Sequence, residues 1–182
     1  MAIIRRQNFK ISENNAINNV DLIDTPEKLQ QFVAVQGIVS IPLDVKVIAE
    51  KFGIKIQYSE MKDELSGILS KIEKDGWVIQ VNEKHHPNRQ RYTIAHELGH
   101  FCLHRHLKNI FEDQIFFRGV ESCKEEWQAN EFASAILMLE DEFREKVRSG
   151  KTNIEELAQE FGVSTLALRI RAKNLGMSGH GL

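Results

Sequence analysis

Ile94-Ala95-His96-Glu97-Leu98-Gly99-His100-Phe101-Cys102-Leu103-His104 is the stretch on which the reading of the whole chain turns. On an α-helix, residues four apart lie one turn above the other on the same face. His96 and His100 therefore present two imidazoles side by side to one ion. Glu97, next to the first histidine, reaches a water on that ion without having to be a ligand itself. Histidines at this spacing bind zinc, and the glutamate between them serves as a general base. Ile94, Leu98 and Phe101 give the helix an apolar face. Gly99 costs about 1 kcal/mol against alanine in a helix interior, which points to a close neighbour at that turn.

A catalytic zinc needs a third protein ligand and a position open to water. Glu125-Glu126-Trp127-Gln128-Ala129-Asn130-Glu131-Phe132-Ala133 offers one on a helix expected near 123–138. Glu126 and Asn130 share a face there, so a carboxylate completes the site while Asn130 orients a ligand histidine. Glu125, Glu131 and His104 are rivals for the third place, and spacing alone does not choose among them.

Working outward, Thr25-Pro26-Glu27 starts a helix, and Ile41-Pro42 is expected to start a second that runs to Phe52. Ile54–Tyr58, Leu65–Ile72 and Trp77–Val81 read as strands, the last two joined at Lys74-Asp75-Gly76. Helices are expected near 88–106, 140–148, 153–161 and 164–174, with an irregular link over 107–122. Strands early and helices late predict an α+β fold. It consists of a small, mostly antiparallel sheet packed on a zincin-like helical core, with a C-terminal helical pair. The expected division is an N-terminal arm at 1–24, a zincin-like domain at 25–150, and a helix-turn-helix-like pair with a short tail at 151–182.

Composition narrows the function classes. The 182-residue chain carries a formal net charge of −2, which gives no general reason to expect nucleic acid or a membrane surface as partner. Its two cysteines, Cys102 and Cys123, do not make a disulfide framework. No apolar run of about 18 residues occurs, and Ile3-Ile4 is followed at once by arginines and polar residues in place of a signal peptide's apolar stretch, so a cytoplasmic protein is expected.

Together these motifs resemble the ImmA/IrrE metallopeptidases over roughly residues 42–176. The resemblance is carried by Tyr92-Thr93-Ile94-Ala95-His96-Glu97-Leu98-Gly99-His100 with Leu103-His104, and by Glu126, Ala129, Asn130, Phe132 and Ala133. It implies zinc held by His96, His100 and Glu126, and catalysis by Glu97. It also implies a protein substrate, such as a helix-turn-helix repressor. Where such proteins often read Leu-Met-Pro, this chain has Leu137-Met138-Leu139.

The expected activity is site-specific endoproteolysis. The alternative is a metal-containing regulatory protein that acts through protein or DNA contacts. Tyr92 and His104 are candidates to stabilise the oxyanion, and a substrate strand is a candidate to add beside Trp77–Val81. Residues 154–170 have helix-turn-helix spacing, with Arg169, Arg171 and Lys173 available for phosphates, but Glu155, Glu156 and Glu160 argue against DNA. His85-His86 reads as a solvated loop, Cys102 as buried packing, Cys123 as an ordinary thiol and His180 as part of a Gly-rich tail.

Overall fold

Thr25-Pro26 opens a helix as its chemistry favours. In a computed structural model of the protein, which describes residues 20–39, 41–114, 124–150 and 153–177, the Thr25 hydroxyl accepts from the Lys28 amide at 3.3 Å. Helix α1 then runs Pro26–Gln36. The second helix does not start at Ile41-Pro42. Helix α2 runs Val45–Lys51 behind Asp44, whose carboxylate accepts from the Val47 amide at 3.2 Å. A capping aspartate sets that boundary, and the proline precedes it as part of a turn. Residues 1–19 of the expected arm, Cys123 and His180 lie outside the described residues.

Three strands follow the expected plan: β1 Lys55–Ser59, β2 Leu65–Ile72 and β3 Gly76–Asn82. A fourth, β4 at Ile110–Gln114, falls within the stretch read as an irregular link. The strand order is β1-β3-β2-β4. β1 runs parallel to β3, while β2 is antiparallel to both β3 and β4. β3 is therefore an inner strand with partners on both sides, and no substrate strand can add beside Trp77–Val81. The open edge on the β2 side belongs to β4. There Phe111 and Asp113 face inward while Ile110 and Glu112 face out, the two-residue alternation of a half-buried strand.

Five further helices complete the α+β fold: α3 Pro87–His104, α4 Lys124–Leu137, α5 Glu140–Arg148, α6 Ile154–Phe161 and α7 Thr165–Asn174. α3 packs against the sheet through β2 and β3, and against α4 and α2 on its other sides. Every residue from Thr93 to Cys102 is buried for that reason. One buried apolar cluster draws residues from all seven helices, with Leu69, Ile79, Val81 and Phe111 from the sheet. The chain turns from α4 into α5 at Leu139 with φ −58°, an angle that proline also takes.

The α6–α7 pair is capped by Asn153 and Ser164. Arg171 is only 9% exposed and donates through Nε to the Met138 carbonyl at 3.1 Å. It is thus committed to the core and not to a phosphate. The exposed part of α7 includes Leu166 and Ile170, apolar residues that do not suit a DNA backbone. Among the described residues, no helix is long and apolar enough to cross a membrane.

Candidate metal centre

Packing of α3 on α4 brings His96, His100 and Glu126 together, with one ligand-type atom from each lying within 4.8 Å of the others. His96 Nε2 and His100 Nε2 are 3.0 Å apart. The two Glu126 carboxylate oxygens each stand 3.3 Å from one of these nitrogens. Donors held 2.0–2.1 Å from a tetrahedral ion lie about 3.3 Å from one another, so the three side chains have the spacing and donor chemistry for a zinc-sized divalent ion. The rival carboxylates, Glu125 and Glu131, are not in this cluster; Glu131 instead accepts from Asn174 at 3.0 Å.

What allows this approach is Gly99. A Cβ there would sit 3.0 Å from the Ala129 carbonyl oxygen and 3.1 Å from its Cα. The close neighbour expected from the sequence is therefore α4, the helix that carries Glu126. A Gly99→Val variant should lose about 1–3 kcal/mol of stability by overpacking. By displacing α4 it should also weaken zinc binding more than the stability loss explains. Urea unfolding and zinc titration of the same preparation would check this, and unchanged zinc affinity would contradict it.

Second partners fix both imidazoles. Asn130 Oδ1 accepts from His96 Nδ1 at 3.2 Å. The Asn130 amide is oriented by donating to the Glu126 carbonyl at 3.0 Å. His100 Nδ1 lies 3.1 Å from His104 Nδ1, and His104 Nε2 lies 3.2 Å from Gln128 Oε1. Because the Gln128 oxygen can only accept, His104 carries its hydrogen on Nε2 and accepts on Nδ1 from His100. In this arrangement both Nε2 lone pairs of the neutral pair are aimed at the gap beside Glu126.

The two oxyanion candidates from the sequence are directed elsewhere. The Tyr92 hydroxyl is 3.3 Å from Asn130 Oδ1 and 3.4 Å from the Asn130 carbonyl, and its own burial raises the phenol pKa. His104 is spent on His100 and Gln128. His86 caps α3 by accepting from the Asn88 amide at 3.2 Å. Burial pushes the Cys102 thiol up to about 12, which makes it unreactive.

Glu97 is fully buried. Neither of its oxygens makes a well-formed hydrogen bond among the described residues. Burial holds its pKa well above the usual carboxylate range, against the pull of His96. Gly67 of β2 lies directly over it: a Cβ at that position would overlap Thr93 Cγ2 and come within 3.3 Å of Glu97 Oε1. The sheet thus seals the carboxylate from bulk water. Sequence reading did not single out Asp113 of β4, which is only 7% exposed and groups with His96 and Glu97.

Without an ion, the cluster holds a proton. Burial opposes charge on His96, but hydrogen bonding to Glu126, with Asp113 and Glu97 nearby, lifts its pKa to about 9. Burial lowers His100 to about 4. Glu126 lies near 2, because its hydrogen bonds to the two histidines outweigh its burial. An ion entering at pH 7 to 8 must displace the His96 proton and no other from these three groups. Zinc affinity should therefore rise about tenfold per pH unit and level off near pH 9. Calorimetry in buffers of different ionisation enthalpy should count about one proton released at pH 7; a count of zero would contradict the assignment.

Residues 49–173 match the family model of the IrrE N-terminal-like domain of the M78 peptidases. No curated protein matches the chain.

Proposed function

The chain belongs to the M78 peptidase family of the IrrE N-terminal-like domain and is a metallopeptidase; from that premise we propose that it is a zinc-dependent, site-specific endopeptidase acting on a cytoplasmic regulatory protein such as a helix-turn-helix repressor. The observation that carries this reading is the convergence of His96, His100 and Glu126 beside the fully buried carboxylate of Glu97. A purely structural zinc site has no use for such a base. The two imidazoles and one carboxylate form a three-ligand set of the kind that leaves a position for water. The DNA-contacting alternative loses support from Arg171, which is bound to the Met138 carbonyl.

When bound, the ion supplies Lewis acidity, making a water acidic and polarising the peptide carbonyl. Glu97 accepts the water proton on a carboxylate oxygen as the water oxygen attacks the carbonyl carbon. It then returns that proton to the amide nitrogen as the C–N bond breaks. Its raised pKa makes it a stronger base in the first step, and the carboxylic acid so formed is still far more acidic than the amine it protonates in the second. Asn130 and the His104–Gln128 pair keep both imidazoles in the tautomer the site needs. The substrate backbone is positioned by pairing with the outer edge of β4, which among the described residues pairs only with β2.

The test is to incubate the zinc-loaded protein with a repressor encoded beside its gene, with and without chelator. Discrete fragments that vanish with chelator and return with added zinc are expected. An intact repressor in the presence of fully zinc-loaded protein would contradict this choice of substrate.

A further inference from the structure

Beside the candidate metal centre, Tyr92 and Thr93 of α3, a turn before His96, and Asn130 and Ser134 of α4, one and two turns beyond Glu126, line a cavity of about 530 Å³. Asp113 of β4 and Leu166 and Ile170 of α7 also line it. The cavity and the site share Asn130, which holds His96.

Its outer wall is apolar: Leu166 and Ile170, four apart on α7, are each 46% exposed. Its depth is polar. Ser134 is 6% exposed, and its hydroxyl has no hydrogen-bond partner among the described residues. Asp113 is 7% exposed, with Ser66 as its hydrogen-bond donor. Ser66 in turn accepts from Arg89 at 3.0 Å. The charged residues of the lining are Asp113, Glu131 and Arg89, one negative charge in excess.

These features select the occupant. A wholly apolar side chain would leave the Ser134 hydroxyl without a partner and Asp113 with Ser66 as its hydrogen-bond donor and no further one, which costs more than the apolar contact returns. An acidic side chain would meet two carboxylates. A side chain with an aliphatic stem and a cationic, donating tip satisfies both zones. We propose that this cavity is the specificity pocket of the enzyme, taking a lysine or arginine side chain of the substrate. The stem lies along Leu166 and Ile170, and the tip donates to Asp113 and Ser134. One helical turn of about 5.4 Å separates Asn130 from Glu126 and a second reaches Ser134, spans of roughly one to three residues of an extended peptide, so the basic residue stands one to three positions from the scissile bond. The proposal rests on the peptidase reading for the identity of its occupant.

Binding is measured on zinc-loaded Glu97→Gln protein by fluorescence anisotropy, using short blocked peptides that differ only in carrying lysine, norleucine or glutamate at one position. Lysine should bind at least about tenfold tighter than norleucine, as expected of a hydrogen bond to a charged group, and glutamate weakest. Position 166 is exposed, so changes there spare the fold: Leu166→Glu should strengthen lysine binding and Leu166→Lys should weaken it. Equal binding of norleucine and lysine, or indifference to both substitutions, overturns the pocket. Wild-type cleavage of a denatured protein mixture, mapped by mass spectrometry, separates this from the peptidase reading. Cuts at a fixed distance from basic residues support the pocket. Cuts without that preference overturn the pocket and keep the peptidase. No cuts, with lysine preference in binding retained, overturns the peptidase and keeps the pocket.

Discussion

Replacing Glu97 with Gln should lower the rate of peptide cleavage by about 10²–10⁴-fold, the usual range for loss of a general base, while zinc content stays that of the wild type. The glutamine fills the same space, so Thr93 and Gly67, which pack over the carboxylate, need not move. The ligand cluster of His96, His100 and Glu126 does not include Glu97. The same variant should stabilise the metal-free protein. Glu97 has a folded pKa raised by burial, so below the unfolded value of about 4.5 both states are protonated and the group contributes nothing. Above that value the unfolded chain releases a proton that the folded one retains, and folding becomes less favourable as pH rises. The gain in Tm for Glu97→Gln should thus be absent at pH 4 and grow towards pH 7. Cleavage retained at the wild-type rate would remove Glu97 from the mechanism. A variant less stable than the wild type at pH 7 would mean that its carboxylate is partnered.

The second large effect is expected of Glu126→Ala. Outer partners of a metal ligand are worth about 10–100-fold in affinity, so loss of a direct ligand should cost more than about 100-fold and reduce proteolysis to background. A readout independent of the ion follows from the same geometry. Glu126 provides the hydrogen bond that, against burial, lifts His96 to about 9. Without it the His96 imidazole should titrate below its present value, as NMR of the metal-free protein would show. Glu125→Ala, one residue away but outside the cluster, should leave both zinc affinity and the His96 titration unchanged. If Glu125→Ala and Glu126→Ala exchanged these phenotypes, the third ligand would be misassigned.

The candidate site is largely legible in the sequence because its spacing is local. His96 and His100 share a helix face, Glu126 and Asn130 share another, and helical geometry alone sets both pairs. What brings the two faces together is less legible. Gly99 announces a close approach, yet only the packed structure shows that Ala129 is what approaches it. The β4 strand is missed for a physical reason. Ile110–Gln114 spans only five residues, and a carboxylate, Asp113, occupies an inward position where alternation leads one to expect an apolar side chain. Its place is fixed by the pairing of Gly67 with Asp113, a contact between distant segments. The same holds for β3, whose strand character is readable but whose inner position depends on β1 and β2 pairing on either side. Tyr92 and His104 are engaged by Asn130 and Gln128 of the neighbouring helix, partners that no local spacing encodes.

The functional account depends on two imidazoles and one carboxylate sharing one ion. Zinc-edge X-ray absorption of the loaded protein tests this most directly. The account predicts two imidazole nitrogens at about 2.0–2.1 Å and oxygen ligands, from Glu126 and a water, at about 2.0–2.2 Å. A shell containing sulfur, or one with fewer than two imidazoles, would contradict it.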